Sequence, residues 1–354
     1  MTEESQNPAE SDPGLDRIPV SVLTGFLGSG KTTILNRLLK HPAMGQTAVV
    51  INEFGEVGID NFLVETASED MVVMDSGCLC CTIRGDLIET LRDLVRRRWR
   101  GEVPKFERLM IETTGLADPA PILHTLMTDP VISARYRLDG VIATVDAANG
   151  AATLDAQIEA VKQAAVADRI LLTKTDIEPD TSDLRNRLAA INPAAPVMTP
   201  IQGDVDPGAL FGAGLYDPAT KHPDVAGWLK EEAYQEGHGH HHGHDHHHDP
   251  NRHDDRIRSF VIRHDGAVDW DRFVDWIEAI ISTHGANILR MKGILRVKDI
   301  DGPVAVHGVQ HVFHPPAMLP SWDGIGETSS RIVMITRDIN KDPVEKMFRA
   351  FVED

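Results

Sequence analysis

The sequence predicts an α/β fold with a mostly parallel sheet, followed by a smaller α+β domain. Over residues 17–202, short apolar runs alternate with helical stretches, which is the pattern of βαβ units. The first apolar run ends in a glycine-rich turn that leads directly into a helical stretch. After residue 256, apolar runs and two amphipathic segments return in an order that fits a small α+β domain.

The elements of the first region follow one another closely along the chain. Helical spacing follows the first strand at Ile34, Leu35, Leu38 and Leu39, and further helices are predicted at 86–99 and 154–167. A parallel sheet binds its ligands at the carboxyl ends of its strands, so we expect the functional residues there. The predicted strands are 17–25, 47–52, 71–74, 108–112, 139–145 and 168–173.

Four segments are predicted along the chain. They are a disordered tail (1–16), a parallel α/β domain (17–202), a His-rich linker (203–256) and a C-terminal α+β domain (257–354). The last domain is predicted to contain strands at 257–263, 288–314 and 330–339, with the middle segment turning at 299–302, and helices at 268–283 and 342–353.

Composition excludes several classes of protein. The chain is 42% hydrophobic and 25% charged, with a formal net charge of −19, and this charge disfavours a nucleic acid partner. No apolar run approaches the roughly 18 residues of a membrane helix, so no membrane partner is expected. The acidic N-terminal segment lacks the features of a signal peptide, and three clustered cysteines suit a reducing compartment. We therefore expect a cytoplasmic protein.

Residues 25–32, GFLGSGKT, match the phosphate-binding loop GxxxxGK(S/T), with a strand before it and a helix after it. Backbone N–H groups in such a loop face the phosphates, Lys31 reaches the β- and γ-phosphate oxygens, and the Thr32 hydroxyl binds Mg²⁺. The candidate nucleotide-binding residues here are Gly25, Gly28, Ser29, Gly30, Lys31, Thr32 and Thr33.

Two later motifs complete the predicted nucleotide site. In ETTGLADP (112–119), Glu112 is expected to hold Mg²⁺, and Gly115 to offer its N–H to the γ-phosphate; with Lys31 they form the candidate catalytic set. In TKTD (173–176), the Asp176 carboxylate can accept both guanine N–H groups while Lys174 lies along the base, which favours GTP over ATP. Thr173 stands where guanine-binding motifs commonly have Asn.

The segment NEFGEVGID (52–60) follows another strand and contains Glu53, Glu56 and Asp60. It suits a switch loop whose carboxylates lie near metal or attacking water, and Glu53 is a candidate metal ligand. Solvated loop acids are the alternative interpretation of this segment.

The three cysteines of the chain, Cys78, Cys80 and Cys81, lie within four positions. Thiolates bind Zn²⁺, Cu⁺ or Co²⁺, and three thiolates leave a tetrahedral ion one ligand short, which suits a site that releases its metal. Cys78 and Cys81 also form a CxxC pair, so a thiol redox switch is an alternative, and inert buried cysteines are another.

A histidine tract between residues 238 and 248 is a second candidate metal-binding segment. A solvated linker that binds metal incidentally is the alternative, and His307, His311 and His314 in the second domain are assigned no ligand role. The candidate ligands of the tract are His238, His240, His241, His242, His244, His246, His247 and His248.

Together these motifs resemble the CobW family of P-loop GTPases, which are relatives of the urease and hydrogenase nickel-insertion GTPases. The resemblance rests on GFLGSGKTT, NEFGEVGID, GCLCC, ETTGLADP and TKTD, in that order. It covers roughly residues 18–200, and residues 257–353 resemble the C-terminal domain of the family.

The resemblance implies a GTP-dependent metallochaperone that binds metal at Cys78, Cys80 and Cys81 and delivers it to a metal-requiring client protein. Its expected cofactors are GTP, Mg²⁺ and Zn²⁺, with Co²⁺ second because cobalt delivery for cobalamin synthesis is the alternative function. A passive His-rich zinc buffer also remains open. A homodimer is one expected assembly.

Overall fold

The computed structural model of the chain describes residues 17–52, 73–75, 83–212, 229, 256–323, 325 and 327–353. These residues form two sheets, one in each half of the chain. No helix among them has the length and hydrophobicity required to span a membrane.

The first sheet has seven strands in the order β3-β2-β4-β1-β5-β6-β7, and every neighbouring pair is parallel. This confirms the predicted parallel α/β domain. The strands are β1 (Ile18–Gly25), β2 (Thr47–Asn52), β3 (Val73–Asp75), β4 (Arg108–Thr113), β5 (Tyr136–Asp146), β6 (Arg169–Thr173) and β7 (Val197–Met198).

Helices cover both faces of this sheet. Alternate residues of β1 enter different cores, because Val20 and Val22 pack on one face and Leu23 packs on the other. The helices are α1 (Lys31–Leu39), α2 (Ile83–Arg100), α3 (Ala120–Thr128), α4 (Pro130–Ser133), α5 (Gly150–Ala156), α6 (Ile158–Val166), α7 (Ser182–Ile191) and α8 (Pro207–Leu210).

The helix predicted at 154–167 is two helices, and this expectation was wrong. Gln157 has an extended backbone (φ −129°, ψ 110°) and its N–H caps α5 by donating to the Thr153 carbonyl. The break lets Leu154 of α5 and Ala160 of α6 reach the same core. No glycine or proline marks the position, so packing alone sets it.

Residues just after position 202 pack on the first sheet. Leu210 and Phe211 join the core beneath α1, and the Gly212 N–H donates to Asp139 Oδ2 at 3.0 Å. These residues of the predicted linker therefore contact the first domain.

The second sheet is antiparallel, in the order β11-β10-β9-β13-β8, with β12 paired to β10. α9 and α10 cover one face, where Trp276 and Phe348 pack edge to face with ring centroids 5.0 Å apart. The elements are β8 (Ile257–His264), α9 (Trp270–His284), β9 (Ile288–Leu295), β10 (Val304–Val309), β11 (Val312–Phe313), β12 (Ala317–Met318), β13 (Ser330–Arg337) and α10 (Lys341–Val352).

The other face of the second sheet shares a core with the first domain. Val261, Leu289 and Ile335 from the second sheet belong to the same cluster as Val161 and Ala164 of α6. The two sheets are thus joined by apolar packing as well as by the chain.

A buried ion-pair network lies at this junction. Asp168, which follows α6, contacts the guanidinium of Arg290 and, at 3.0 Å, the ammonium of Lys292, both on β9. Arg290 also donates to the carbonyls of Val166 and Ala167. Although burial alone would raise the pKa of Asp168, the charges of Arg290 and Lys292 hold it well below its usual range.

Two stacked histidines, one on β10 and one directly after β11, extend the network. The rings of His307 and His314 lie 5.3 Å apart. Burial, and then the charge of His314, lowers the pKa of His307 well below its usual range, and burial lowers the pKa of His314 to about 4. Both rings are therefore neutral at pH 7, so they add no further positive charge near Arg290 and Lys292.

The first prediction concerns the network. We expect Arg290→Met to lower the free energy of unfolding by about 3 kcal/mol, because it leaves a buried carboxylate with one cation and two carbonyls without their donor. Chemical denaturation at pH 7 measures the change. Arg349→Met, which removes the exposed partner of Glu345 on α10, is the control and should leave the transition in place. Equal transitions for the two variants would contradict the prediction.

Candidate functional site

The glycine-rich loop between β1 and α1 takes the shape that a phosphate-binding loop requires. Gly25, Gly28 and Gly30 have φ values of 141°, 71° and 95°, which glycine adopts without strain. A Cβ atom on Gly25 would also lie 2.2 Å from Thr144 Oγ1. The loop therefore needs glycine for both its backbone conformation and its close approach to β5.

Neighbouring strands brace this loop. Ser29 Oγ lies 2.6 Å from Thr144 Oγ1 on β5, and Thr173 Oγ1 on β6 donates to the Ser29 carbonyl at 2.7 Å. Thr173, where an Asn is common, thus holds the loop through its hydroxyl. The sheet therefore helps to position the loop through these two hydroxyl groups.

Lys31 lies in the first turn of α1 and is buried, with 8% of its surface exposed. Its Nζ donates to the carbonyls of Gly25 at 2.9 Å and Phe26 at 3.3 Å. The ammonium is therefore held over the loop, where a phosphate oxygen can exchange with these carbonyls. The cavity at this point measures about 290 Å³ and is lined by residues that include Gly28, Gly30, Thr32, Glu112, Gly115 and Lys174.

Thr32 and Glu112 bring two oxygen ligands together at the mouth of this cavity. Thr32 Oγ1 donates to Glu112 Oε1 at 3.2 Å, from α1 to the end of β4. A hydroxyl and a carboxylate at this separation are the hard oxygen donors that Mg²⁺ prefers. The donor set fits the metal expected from the sequence.

The loop between β4 and α3, residues 114–119, lies against the phosphate-binding loop. A Cβ atom on Gly115 would lie 2.6 Å from the backbone nitrogen of Leu27. On the other side, the buried amide of Gln163 on α6 donates to the carbonyls of Gly115 at 3.2 Å and Ala117 at 3.0 Å. Because the two loops touch at Gly115, a movement of the 114–119 loop would require the phosphate-binding loop to adjust, and the reverse.

The predicted base-binding segment lies at the end of β6. Lys174 has a left-handed backbone, with φ of 57°, and its Nζ donates to Asp146 Oδ2 at 2.6 Å. Although burial raises the pKa of Asp146, the hydrogen bonds from Lys174 and Asn149 lower it overall. Asp176, two residues on, is exposed, as a carboxylate that binds a base must be.

Asp146 and Gln163 are site residues that were not predicted from the sequence. The only signal for Asp146 was its place at the carboxyl end of a predicted strand, next to the strand that carries TKTD. Gln163 had none, because it lies within a helix of alanines and contacts the 114–119 loop from more than 40 positions away.

The predicted metal ligands Cys78, Cys80, Cys81 and Glu53 and the tract from His238 to His248 lie outside the described residues, as do Glu56 and Asp60. The strands that lead to two of these segments are described. β2 and β3 are parallel to β4. The segments after Asn52 and Asp75 therefore begin at the carboxyl ends of their strands, on the same side of the sheet as Glu112. Within the described part of the chain, no group of three or more His, Cys, Asp or Glu side chains could hold a metal ion.

Comparisons with known proteins cover both domains. Residues 19–199 match the family model described as CobW/HypB/UreG, nucleotide-binding domain, and residues 257–352 match the cobalamin synthesis protein CobW C-terminal domain.

Individual relatives extend over nearly the whole chain. The zinc chaperone YjiA of Escherichia coli is 34% identical over 94% of this chain and 98% of its own length. Zinc-regulated GTPase metalloprotein activator 1 of Saccharomyces cerevisiae is 31% identical over 95% of this chain and 84% of its own. The crystal structure of Zn(II)-bound YjiA GTPase superposes with a TM-score of 0.69 at 30% identity, over 95% of this chain and 99% of that one.

The second prediction tests the phosphate-binding loop. We expect the full chain to hydrolyse GTP slowly and only with Mg²⁺, because no Gln or Arg stands out in the switch segments to orient water or neutralise charge. Lys31→Ala should lower kcat at least about 100-fold, since it removes a cation aimed at the phosphates. The rate of phosphate release from GTP measures kcat. Lys40→Ala, at an exposed position just after the same helix, is the control and should keep wild-type turnover. Wild-type turnover in Lys31→Ala would contradict it.

Proposed function

Because the chain belongs to the CobW/HypB/UreG family of P-loop GTPases, we propose that it is a GTP-dependent zinc metallochaperone. In this proposal Cys78, Cys80 and Cys81 hold the zinc ion, and GTP hydrolysis releases it to a metal-requiring client protein. The observation that supports the proposal is the close approach of Gly115 to the backbone of Leu27, because a loop in contact with the phosphate-binding loop could respond to the γ-phosphate.

The residues of the chain divide the chemistry between them. Lys31 leaves the carbonyls of Gly25 and Phe26 to bind the β- and γ-phosphate oxygens, so that the positive charge is already in place when the transition state forms. The Gly115 N–H orients the γ-phosphate. Thr32 and Glu112 hold Mg²⁺, which neutralises charge on the phosphates when bound.

Asp146 and Lys174 prepare the base side of the site. The ion pair fixes the lysine stem, and Lys174 itself has a left-handed backbone two residues before Asp176. Asp176 then accepts the guanine N1–H and N2–H groups. ATP offers neither donor in this arrangement, so the carboxylate would lose its partners.

Zinc release requires that the metal bind more weakly after hydrolysis than before it. Loops ordered by γ-phosphate and Mg²⁺ relax when the phosphate leaves. A hundredfold change in metal affinity corresponds to about 2.7 kcal/mol, which the loss or distortion of one thiolate ligand can supply. The relatives named as zinc chaperone and zinc-regulated activator support zinc as the metal.

The third prediction concerns the choice of nucleotide. Asp176→Asn should weaken GTP binding by about 2 kcal/mol, roughly 30-fold, because an amide cannot accept both guanine donors. Isothermal titration with GTP and ATP measures the change. Asp183→Asn, the same substitution at an exposed position in the first turn of α7, should bind GTP normally. Equal affinity of the wild type for ATP and GTP would contradict the assignment.

The fourth prediction separates two metal-binding segments. A triple variant should lose one tightly bound, nucleotide-sensitive zinc ion but keep the weak zinc binding of the histidine tract; its substitutions are Cys78→Ser, Cys80→Ser and Cys81→Ser. Deletion of 238–248 should do the reverse. Because imidazoles protonate near their usual pKa of about 6.5 and thiolates with lowered pKa bind to lower pH, the tract should lose zinc first on acidification.

Competition with a chelator, in GTP, in GDP and without nucleotide, measures both sites. A deletion variant that lost the tight ion would instead favour a passive His-rich buffer. Tighter, nucleotide-sensitive binding of Co²⁺ than of Zn²⁺ would favour cobalt delivery.

A further inference from the structure

We propose that Gln310, in the second domain, is a positioning residue for the 114–119 loop of the nucleotide site and acts through Asp118. The inference rests on the proposed GTPase function. It assigns the second domain a direct part in setting the geometry around the γ-phosphate.

Asp118 is the residue through which the contact is made. One carboxylate oxygen, Oδ2, accepts hydrogen bonds from Lys162 Nζ at 2.7 Å and from Gln310 Nε2 at 3.0 Å. The other, Oδ1, accepts from the Ala120 N–H at 3.0 Å, at the start of α3. The carboxylate therefore fixes the end of the loop to α3, to α6 and to the second domain.

Gln310 occupies a backbone conformation that glycine would take more easily. It lies in the two-residue turn between β10 and β11, where Val309 pairs with Val312, and its φ is 53°. A left-handed backbone costs a non-glycine residue free energy that the surroundings must offset. The side chain that this residue carries makes the contact with Asp118, which gives a physical reason for a glutamine at a position favouring glycine.

The turn that carries Gln310 is held against α3. His124 Nε2 lies 3.0 Å from the Val309 carbonyl, and the rings of His124 and His311 meet edge to face with centroids 4.6 Å apart. The Gln310 N–H also donates to the Ile288 carbonyl at 2.8 Å. The amide of Gln310 is thus presented from a fixed support, not from a free loop.

The other end of the same loop touches the nucleotide site. Gly115 lies against the Leu27 backbone, and Asp118 follows three residues later. A shift of Gly115 on loss of the γ-phosphate is resisted at Asp118 by Gln310 and Lys162. By linkage, the second domain biases the loop toward one position, and the nucleotide biases the turn in return.

Gln310→Gly separates this role from a structural one. Glycine suits the turn, so the variant should fold with an unchanged or higher melting temperature. It removes one hydrogen bond to a charged group that positions the loop, so kcat for GTP hydrolysis should fall about tenfold while KM changes less than about twofold.

Hydrogen exchange gives a readout that a merely structural role would not move. In the wild-type chain, amides of 304–314 should exchange at different rates with a nonhydrolysable GTP analogue and with GDP, both with Mg²⁺. Gln310→Gly should lose that difference. Asp299→Gly is the matched control, because Asp299 has a similar φ of 60° in another turn of the same domain; it should keep both kcat and the exchange difference.

A double-mutant cycle tests whether Gln310 acts through Asp118. Asp118→Ser retains an oxygen to cap the Ala120 N–H but is too short to reach Gln310. Added to it, Gln310→Gly should have no further effect on kcat, whereas independent roles would give additive losses.

Unchanged kcat and exchange in Gln310→Gly, or equal losses in Asp299→Gly, would overturn the inference while leaving the proposed function intact. Failure of the wild-type chain to bind GTP would overturn both.

Discussion

The burial of Asp168 is the constraint on which the arrangement of this molecule depends. A carboxylate without water must be paired, and its partners, Arg290 and Lys292, come from the central region of the second sheet. The same guanidinium satisfies two carbonyls at the end of α6. Moving the second domain away would therefore expose apolar surface. It would also leave the Asp168 carboxylate without its cations and the carbonyls of Val166 and Ala167 without their donor.

This constraint has a consequence for the nucleotide site. Because β9 is fixed on α6, the neighbouring β10 and its turn are placed over α3, within reach of the 114–119 loop. α6 also supplies Gln163 and Lys162 to that loop. One helix thus carries the contacts that hold the domains together and the contacts that hold the loop near the phosphates.

The parts of the site that are local in sequence could be predicted. One short segment contains the glycines at 25, 28 and 30 together with Lys31 and Thr32. The order of strands and helices predicted that Glu112 and Asp176 lie at the carboxyl ends of their strands, where the structure has them. Pairings between distant segments could not be read in this way. Asp118 and Gln310 are separated by 192 positions, and the break at Gln157 has no local signal because packing of both helices on the sheet determines it.

The pairing of Asp168 with Arg290 also bears on how the chain is made. The two residues are 122 positions apart, so the end of α6 leaves the ribosome long before its partner. At typical synthesis rates of about 5–20 residues per second, the gap lasts roughly 6–24 s. We expect the first domain to spend that time with an unpaired carboxylate and an uncovered apolar face. Until the second sheet is synthesised, other contacts would have to cover this apolar face and pair with the carboxylate.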